Sequence, residues 1–158
     1  VAGDTFDEAI INYVRRRHSL LIGETTAERV KTKIGSAMED SEHRQMQIKG
    51  RDVTEGMSRS IVIGSDEIYV AISDALQRIV RAIRETLENT PPELSSDIFE
   101  RGMVVAGGGA LLRDMDRRLM HETGLPVVVA ENPLTCVARG CGRALEEISV
   151  LGDVFASE

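Results

Sequence analysis

The chain has 158 residues, 28% of them charged, with a formal net charge of −7 and a pI near 5.1. That length is enough to bury about 70% of the unfolded surface in one domain or two small lobes, and the acidic balance argues against nucleic-acid partners, whose phosphates need a basic face. No run approaches the ~20 apolar residues of a membrane-spanning helix, and no secretory signal is visible.

The chain begins at Val1 and runs almost at once into a helix, as expected of a piece of something longer. Thr5-Phe6-Asp7-Glu8 has the capping-box pattern and predicts a helix with Phe6, Ala9, Ile10, Tyr13 and Val14 on one face. Asp4 and Asp7 are read as opening that helix. Arg15-Arg16-Arg17-His18 falls at its end, where cations complement the dipole, and reads as a solvated terminus. Ser19 to Gly23 is a short apolar connection. A second capping box, Thr25-Thr26-Ala27-Glu28, predicts a shorter helix with Ala27, Val30 and Ile34 turned inward.

From His43 to Gly64 the pattern alternates around a turn-rich centre and predicts an antiparallel hairpin. Ser65-Asp66-Glu67 then caps a long helix whose apolar positions Ile68, Ile72, Ala75, Ile79, Ile83 and Leu87 keep helical spacing until Pro91-Pro92. Arg78, Arg81 and Glu85 lie on its exposed face. After a helical turn over Glu93–Phe99 come strand, glycine-rich turn, helix, strand and helix. The strands are Met103–Ala106 and Val127–Ala130. The helix between them closes on Gly124 before Pro126, which makes a right-handed βαβ unit. The fold class is therefore α/β, with a smaller lobe over residues 14–65 and a larger one over residues 1–13 and 66–158. Three histidines, His18, His43 and His121, lack metal-ligand spacing and read as surface residues. Cys136 and Cys141 form neither a disulfide framework nor a zinc motif, so a reduced, cytoplasmic setting and buried packing are expected for both.

The stretch Met103-Val104-Val105-Ala106-Gly107-Gly108-Gly109-Ala110-Leu111-Leu112 carries the most chemistry. Glycines between a strand and a helix let backbone approach a flat or anionic ligand, and the helix start aims unpaired N–H groups at the same place. A nucleotide contact is one reading, and a tight turn needing φ > 0 is the other; the glycines alone leave both open. Leu112 stands where a dinucleotide fingerprint needs its third glycine, and no Gly-Lys-Ser/Thr follows for a Walker A loop.

Taken together, Gly3-Asp4 with Phe6-Asp7-Glu8-Ala9-Ile10-Ile11-Asn12-Tyr13, Leu21-Ile22-Gly23-Glu24, Ile34-Gly35-Ser36-Ala37, Gly50-Arg51-Asp52, Thr90-Pro91-Pro92-Glu93-Leu94, Gly107-Gly108-Gly109-Ala110-Leu111-Leu112-Arg113, Glu122-Thr123-Gly124-Leu125-Pro126 and Asn132-Pro133-Leu134-Thr135-Cys136 follow one order. In that order they resemble the second domain of the actin-like ATPases, in their bacterial MreB branch. The resemblance implies an actin-like (ribonuclease H-like) domain II with a smaller α+β subdomain inserted. It implies that Ala106, Gly107, Gly108, Gly109 and Ala110 lie against the base and α-phosphate of ATP or ADP. Glu24, Thr25, Thr26 and Ala27 would approach ribose and adenine from the smaller lobe, with Lys31 bordering the base. Mg2+, the phosphate loops and the catalytic acid would come from a first domain upstream, so no catalytic residue is assigned here.

The parent protein is expected to be a slow ATPase and the chain alone inactive. The implied function is the C-terminal half of a filament protein that organises cell-wall synthesis and rod shape. The implied partners are further filament subunits and a RodZ-like membrane adaptor on the larger lobe. The implied location is the cytoplasm, with membrane association through the filament. Two alternatives from other classes are a domain of an actin-fold small-molecule kinase and a stand-alone protein-binding adaptor.

Overall fold

The computed structural model describes residues 3–147; residues 1–2 and 148–158, with the parts of the expected larger lobe that fall on them, lie outside the described residues. Helix α1 spans Gly3–His18 and buries Phe6, Ile10 and Val14, the i, i+4, i+8 stripe of its apolar face. It packs against α2 (Glu24–Ile34) and the long α3 (Ser65–Glu88). From α2 come Ala27, Val30 and Ile34, and from α3 Ile68, Ile72 and Leu76, all inside one hydrophobic core. α1 is unbroken across residues 13 and 14, where the lobe boundary was expected.

Three predicted caps shift. Thr5 lies inside α1, which already includes Gly3, so it does not open the helix. At α2 the cap is Gly23, whose carbonyl accepts the N–H groups of Thr26 at 3.0 Å and Ala27 at 3.1 Å, which places Thr25 inside the helix. An extended glycine before an acidic first turn does the work the threonine pattern suggested. At α3, Ser65 is the first helical residue and Gly64 the cap; the Glu67 carboxylate reaches back to the Gly64 N–H at 3.5 Å, which is half of a capping box.

The predicted hairpin is present as β2 (Gln45–Asp52) and β3 (Ser58–Gly64), with Ile48 opposite Ile61 and Met46 opposite Ile63. The expected connection at Leu20–Leu21 instead forms β1 and pairs antiparallel with β2. Gly50 explains the close approach, because a Cβ there would collide with the Leu21 carbonyl. The turn after β2 is held by Asp52, whose Oδ1 accepts the N–H groups of Thr54 at 2.8 Å and Glu55 at 3.1 Å. Those backbone donors, Glu55 first, hold the Asp52 carboxyl below its ordinary range, with Arg59 3.0 Å away adding to them against the opposing effect of desolvation.

Past α4 (Pro92–Arg101), β4 (Met103–Val105) and β5 (Val127–Val129) pair in parallel, with Val104 beside Val128, as a βαβ unit requires. The helix between them differs from expectation. The glycines lead into a single 3-10 turn, Gly108–Leu111, and α5 starts only at Met115 and runs to Thr123. Asp114 adopts a left-handed conformation, φ +59°, and separates the two.

α6 (Cys136–Glu146) buries none of its residues and touches mainly the Pro133–Thr135 turn. Cys136 is consequently half-buried and Cys141 exposed, against the expectation of buried packing. His18 is also corrected: it is half-buried, with Nε2 2.7 Å from the Glu67 carboxylate, because the last turn of α1 abuts the first turn of α3.

Candidate functional site

A cleft of about 680 Å³ opens where the start of α1, one face of α2 and the glycine turn converge. α1 contributes Gly3, Asp4, Asp7 and Glu8; α2 contributes Glu24, Thr25, Glu28, Lys31 and Thr32. Gly108, Gly109, Leu111 and Leu112 form the opposite wall, with Leu134 at its edge.

The structure therefore brings five of the expected residues together: Glu24, Thr25, Lys31, Gly108 and Gly109. The other five stand outside the lining. Ala27 is fully buried in the core and Ala110 is buried behind the turn. Thr26 is half-buried and Ala106 exposed. Gly107 shapes the wall from behind: its φ of +84° is open to glycine, and its N–H donates to the Pro133 carbonyl at 2.8 Å. A Cβ added at Gly109 would meet no atom within 4 Å, so that residue keeps open space at the wall.

Sequence reading missed Glu28, Thr32 and Asp7. A signal for the first two was present, since Glu24, Glu28, Lys31 and Thr32 fall at i, i+4, i+7 and i+8, a single polar stripe beside the buried Ala27–Val30–Ile34 stripe. Asp7 was read as a helix-opening acid. It is instead a buried member of the cleft, with Lys31 Nζ 2.8 Å from its Oδ2. Lys31 also donates to the Gly3 carbonyl at 3.3 Å. The second oxygen, Asp7 Oδ1, is buried and meets no hydrogen-bond partner among the described residues.

The electrostatic consequence is direct. Five carboxylates (Asp4, Asp7, Glu8, Glu24 and Glu28) face one ammonium, and that ammonium is already engaged by Asp7 and Gly3. Such a wall accepts hydrogen bonds from hydroxyl and amino groups and repels anions. It suits an uncharged group rich in hydrogen-bond donors and disfavours a phosphate chain. Among the described residues no group of three or more His, Cys, Asp or Glu side chains is placed to hold a metal ion.

The family model described as MreB/Mbl protein matches residues 1–153. The chain belongs to the MreB/Mbl family. It is 58% identical over 159 aligned residues to the cell shape-determining protein MreB of Escherichia coli (strain K12), covering all of this chain and 46% of that protein. To the cell shape-determining protein Mbl of Bacillus subtilis (strain 168) it is 46% identical, over 96% of this chain and 45% of that one. The chain thus spans about half the length of these MreB and Mbl relatives.

Among solved structures, MreB5 of Spiroplasma citri bound to AMPPNP superimposes with a TM-score of 0.88 at 40% identity, over 94% of this chain and 45% of that one. The same MreB5 bound to ADP gives 0.88 at 38%, over 99% and 47%. The MamK double helical filament, at 22% identity and a TM-score of 0.73, shares the fold. The architecture is the actin-like α/β fold.

Proposed function

We propose that this chain forms the adenosine-side half of an ATP site in a filament-forming, actin-like cell-shape protein. The observation that carries the reading is the cleft itself. A carboxylate-rich face of α2 stands across from the Gly108–Gly109 turn, with the acidic start of α1 completing the lining. A ribose presents two hydroxyl donors, and adenine an amino donor and a flat face for the glycines. The MreB5 structures bound to AMPPNP and ADP support a nucleotide as the ligand.

On this reading Glu24, Thr25, Glu28 and Lys31 bind the nucleoside from one side and Gly108 and Gly109 from the other. When bound, ATP supplies the transferable phosphoryl group, whose Mg2+ and phosphates are held by residues beyond this chain. The filament contacts, a RodZ-like adaptor on the larger lobe, membrane association through the filament and a part in organising cell-wall synthesis belong to the same proposal. So does the division into lobes at residues 14–65 and at 1–13 with 66–158. The relatives named as cell shape-determining support it.

Calorimetry of the chain with adenosine, ADP and ATP tests the site. With the phosphates unheld by an acidic wall, the three ligands bind within about three-fold of one another, a spread under 1 kcal/mol. ATP binding a hundred-fold tighter than adenosine refutes the adenosine-side assignment. No binding of any of the three refutes the site.

A further inference from the structure

We infer that Asp114 is a positioning residue: with Ser36 and Ser41 it forms a polar clasp that sets the spacing of the two cleft walls. The inference rests on the nucleoside-site reading above. Both walls run into the same knot. α2 ends at Ile34, two residues past the cleft-lining Thr32, and Ser36 follows. The glycine turn ends at Leu111, the cleft-lining Leu112 comes next, and Arg113-Asp114 follow.

At that point the two segments are joined. Ser36 and Arg113 form an isolated parallel bridge, and the Ala37 N–H donates to the Arg113 carbonyl at 2.8 Å. The Ser36 hydroxyl, 1% exposed, lies 3.3 Å from Asp114 Oδ2 and 3.4 Å from the Arg113 carbonyl. Ser41 also donates to Asp114 Oδ2 and bonds Ser36 in turn. Arg113 extends the joint by donating to the Glu42 carbonyl at 3.0 Å.

Three features say that this joint serves the walls rather than merely filling space. Asp114 holds a left-handed backbone, φ +59°, at the residue that opens α5, and its carboxylate meets the two serines. Leu112 lies close to Gly35, where an added Cβ would sit 3.1 Å from Leu112 Cδ1, so the walls are already in contact below the cleft. The joined positions stand 77 and 78 residues apart in sequence, so this is a tie between distant parts of the chain, one that no helix or hairpin supplies. Without the Asp114 carboxylate the α2 wall and the glycine wall keep their own hydrogen bonds and the Arg113 carbonyl between them, but lose the side-chain acceptor that gathers Ser36 and Ser41. A site competent only a fraction of the time binds more weakly by that fraction.

The experiment compares the chain with Asp114→Gly, which removes the acceptor and keeps a residue at ease with positive φ, and Asp114→Asn, which keeps both an acceptor and tolerance of φ > 0. Ser41→Ala serves as a milder second variant, because Ser41 is half-exposed and its loss leaves the core intact. ADP affinity is measured well below each melting temperature, together with hydrogen exchange of the ligand-free chain. Asp114→Gly is expected to weaken ADP binding about five-fold and to speed exchange at both Glu24–Lys31 and Gly108–Leu112, with Ser41→Ala giving a smaller change in the same direction and Asp114→Asn restoring both readouts.

Unchanged ADP affinity in a folded Asp114→Gly, or faster exchange confined to residues near 114, overturns the inference. If Asp114→Gly does not fold, Ser41→Ala decides by the same two readouts. If the parent chain itself binds no ADP, the nucleoside reading falls, and the exchange pattern alone still decides whether the clasp couples the walls.

Discussion

Lys31→Met isolates the ion pair that joins α1 to α2 at the cleft. Lys31 and Asp7 keep only 15% and 13% of their side-chain surface exposed, with Nζ 2.8 Å from Oδ2. Methionine preserves the length of the stem and removes the charge. Stripping one partner from a fully buried pair costs about 3–5 kcal/mol, because the other charge stays behind without compensation. The residual exposure here lets water reach the carboxylate, so the expected loss is about 2–3 kcal/mol. For a chain of this size that lowers the melting temperature by roughly 4–12 °C. Replacing both partners, Asp7→Leu with Lys31→Met, removes the stranded charge and is expected to return stability to within about 1 kcal/mol of the parent. Urea unfolding of the parent, both single variants and the double variant yields the coupling energy. A Lys31→Met variant as stable as the parent, or a double variant whose loss is the sum of the singles, refutes the reasoning.

Acid titration of stability tests Asp52. Its carboxyl is held below the ordinary value of 3.8, so its contribution is complete above about pH 4 and is lost as the pH falls through the lower folded value. Asp52→Asn should therefore flatten the stability curve below pH 4, and an unchanged acid limb on circular dichroism counts against the turn bonds. Gly109→Val places a branched side chain in open space at the glycine wall. It is expected to leave melting within about 1 kcal/mol of the parent while abolishing ADP binding by calorimetry. Gly102→Ala should destabilise by more than 2 kcal/mol, since φ is +75° and a Cβ would collide with the Pro126 carbonyl that accepts the Met103 N–H beside the β4–β5 ladder. Thermal unfolding measures it.

The elements that depend on local periodicity were legible. α3 carries its apolar residues at i, i+4 and i+7 from Ile68 to Ala75, and it forms where that spacing places it. The β2–β3 hairpin and the parallel β4–β5 pair follow for the same reason. What escaped was set by contacts between distant segments. β1 exists because Gly50 lets a neighbour approach, a fact no window around Leu20 contains. α5 starts late because Asp114 is turned by Ser36 and Ser41, more than seventy residues earlier. In the cleft, the glycines and Glu24 were readable from motif and resemblance. Asp7 was not, because its burial follows from Lys31 on another helix.

α1 also links two distant places in the fold. Its 16 residues form one unbroken rod, about 24 Å long at 1.5 Å per residue. One end, Gly3 to Asp7, lines the cleft; the other, at His18, meets Glu67 and supplies a carbonyl to Arg59 of the small sheet. A rod anchored near the cleft that tilts by about 5° carries its far end through about 2 Å, given that rise. The two ends of α1 are thus joined through one continuous helix, the first at the cleft and the second at the edge of β3.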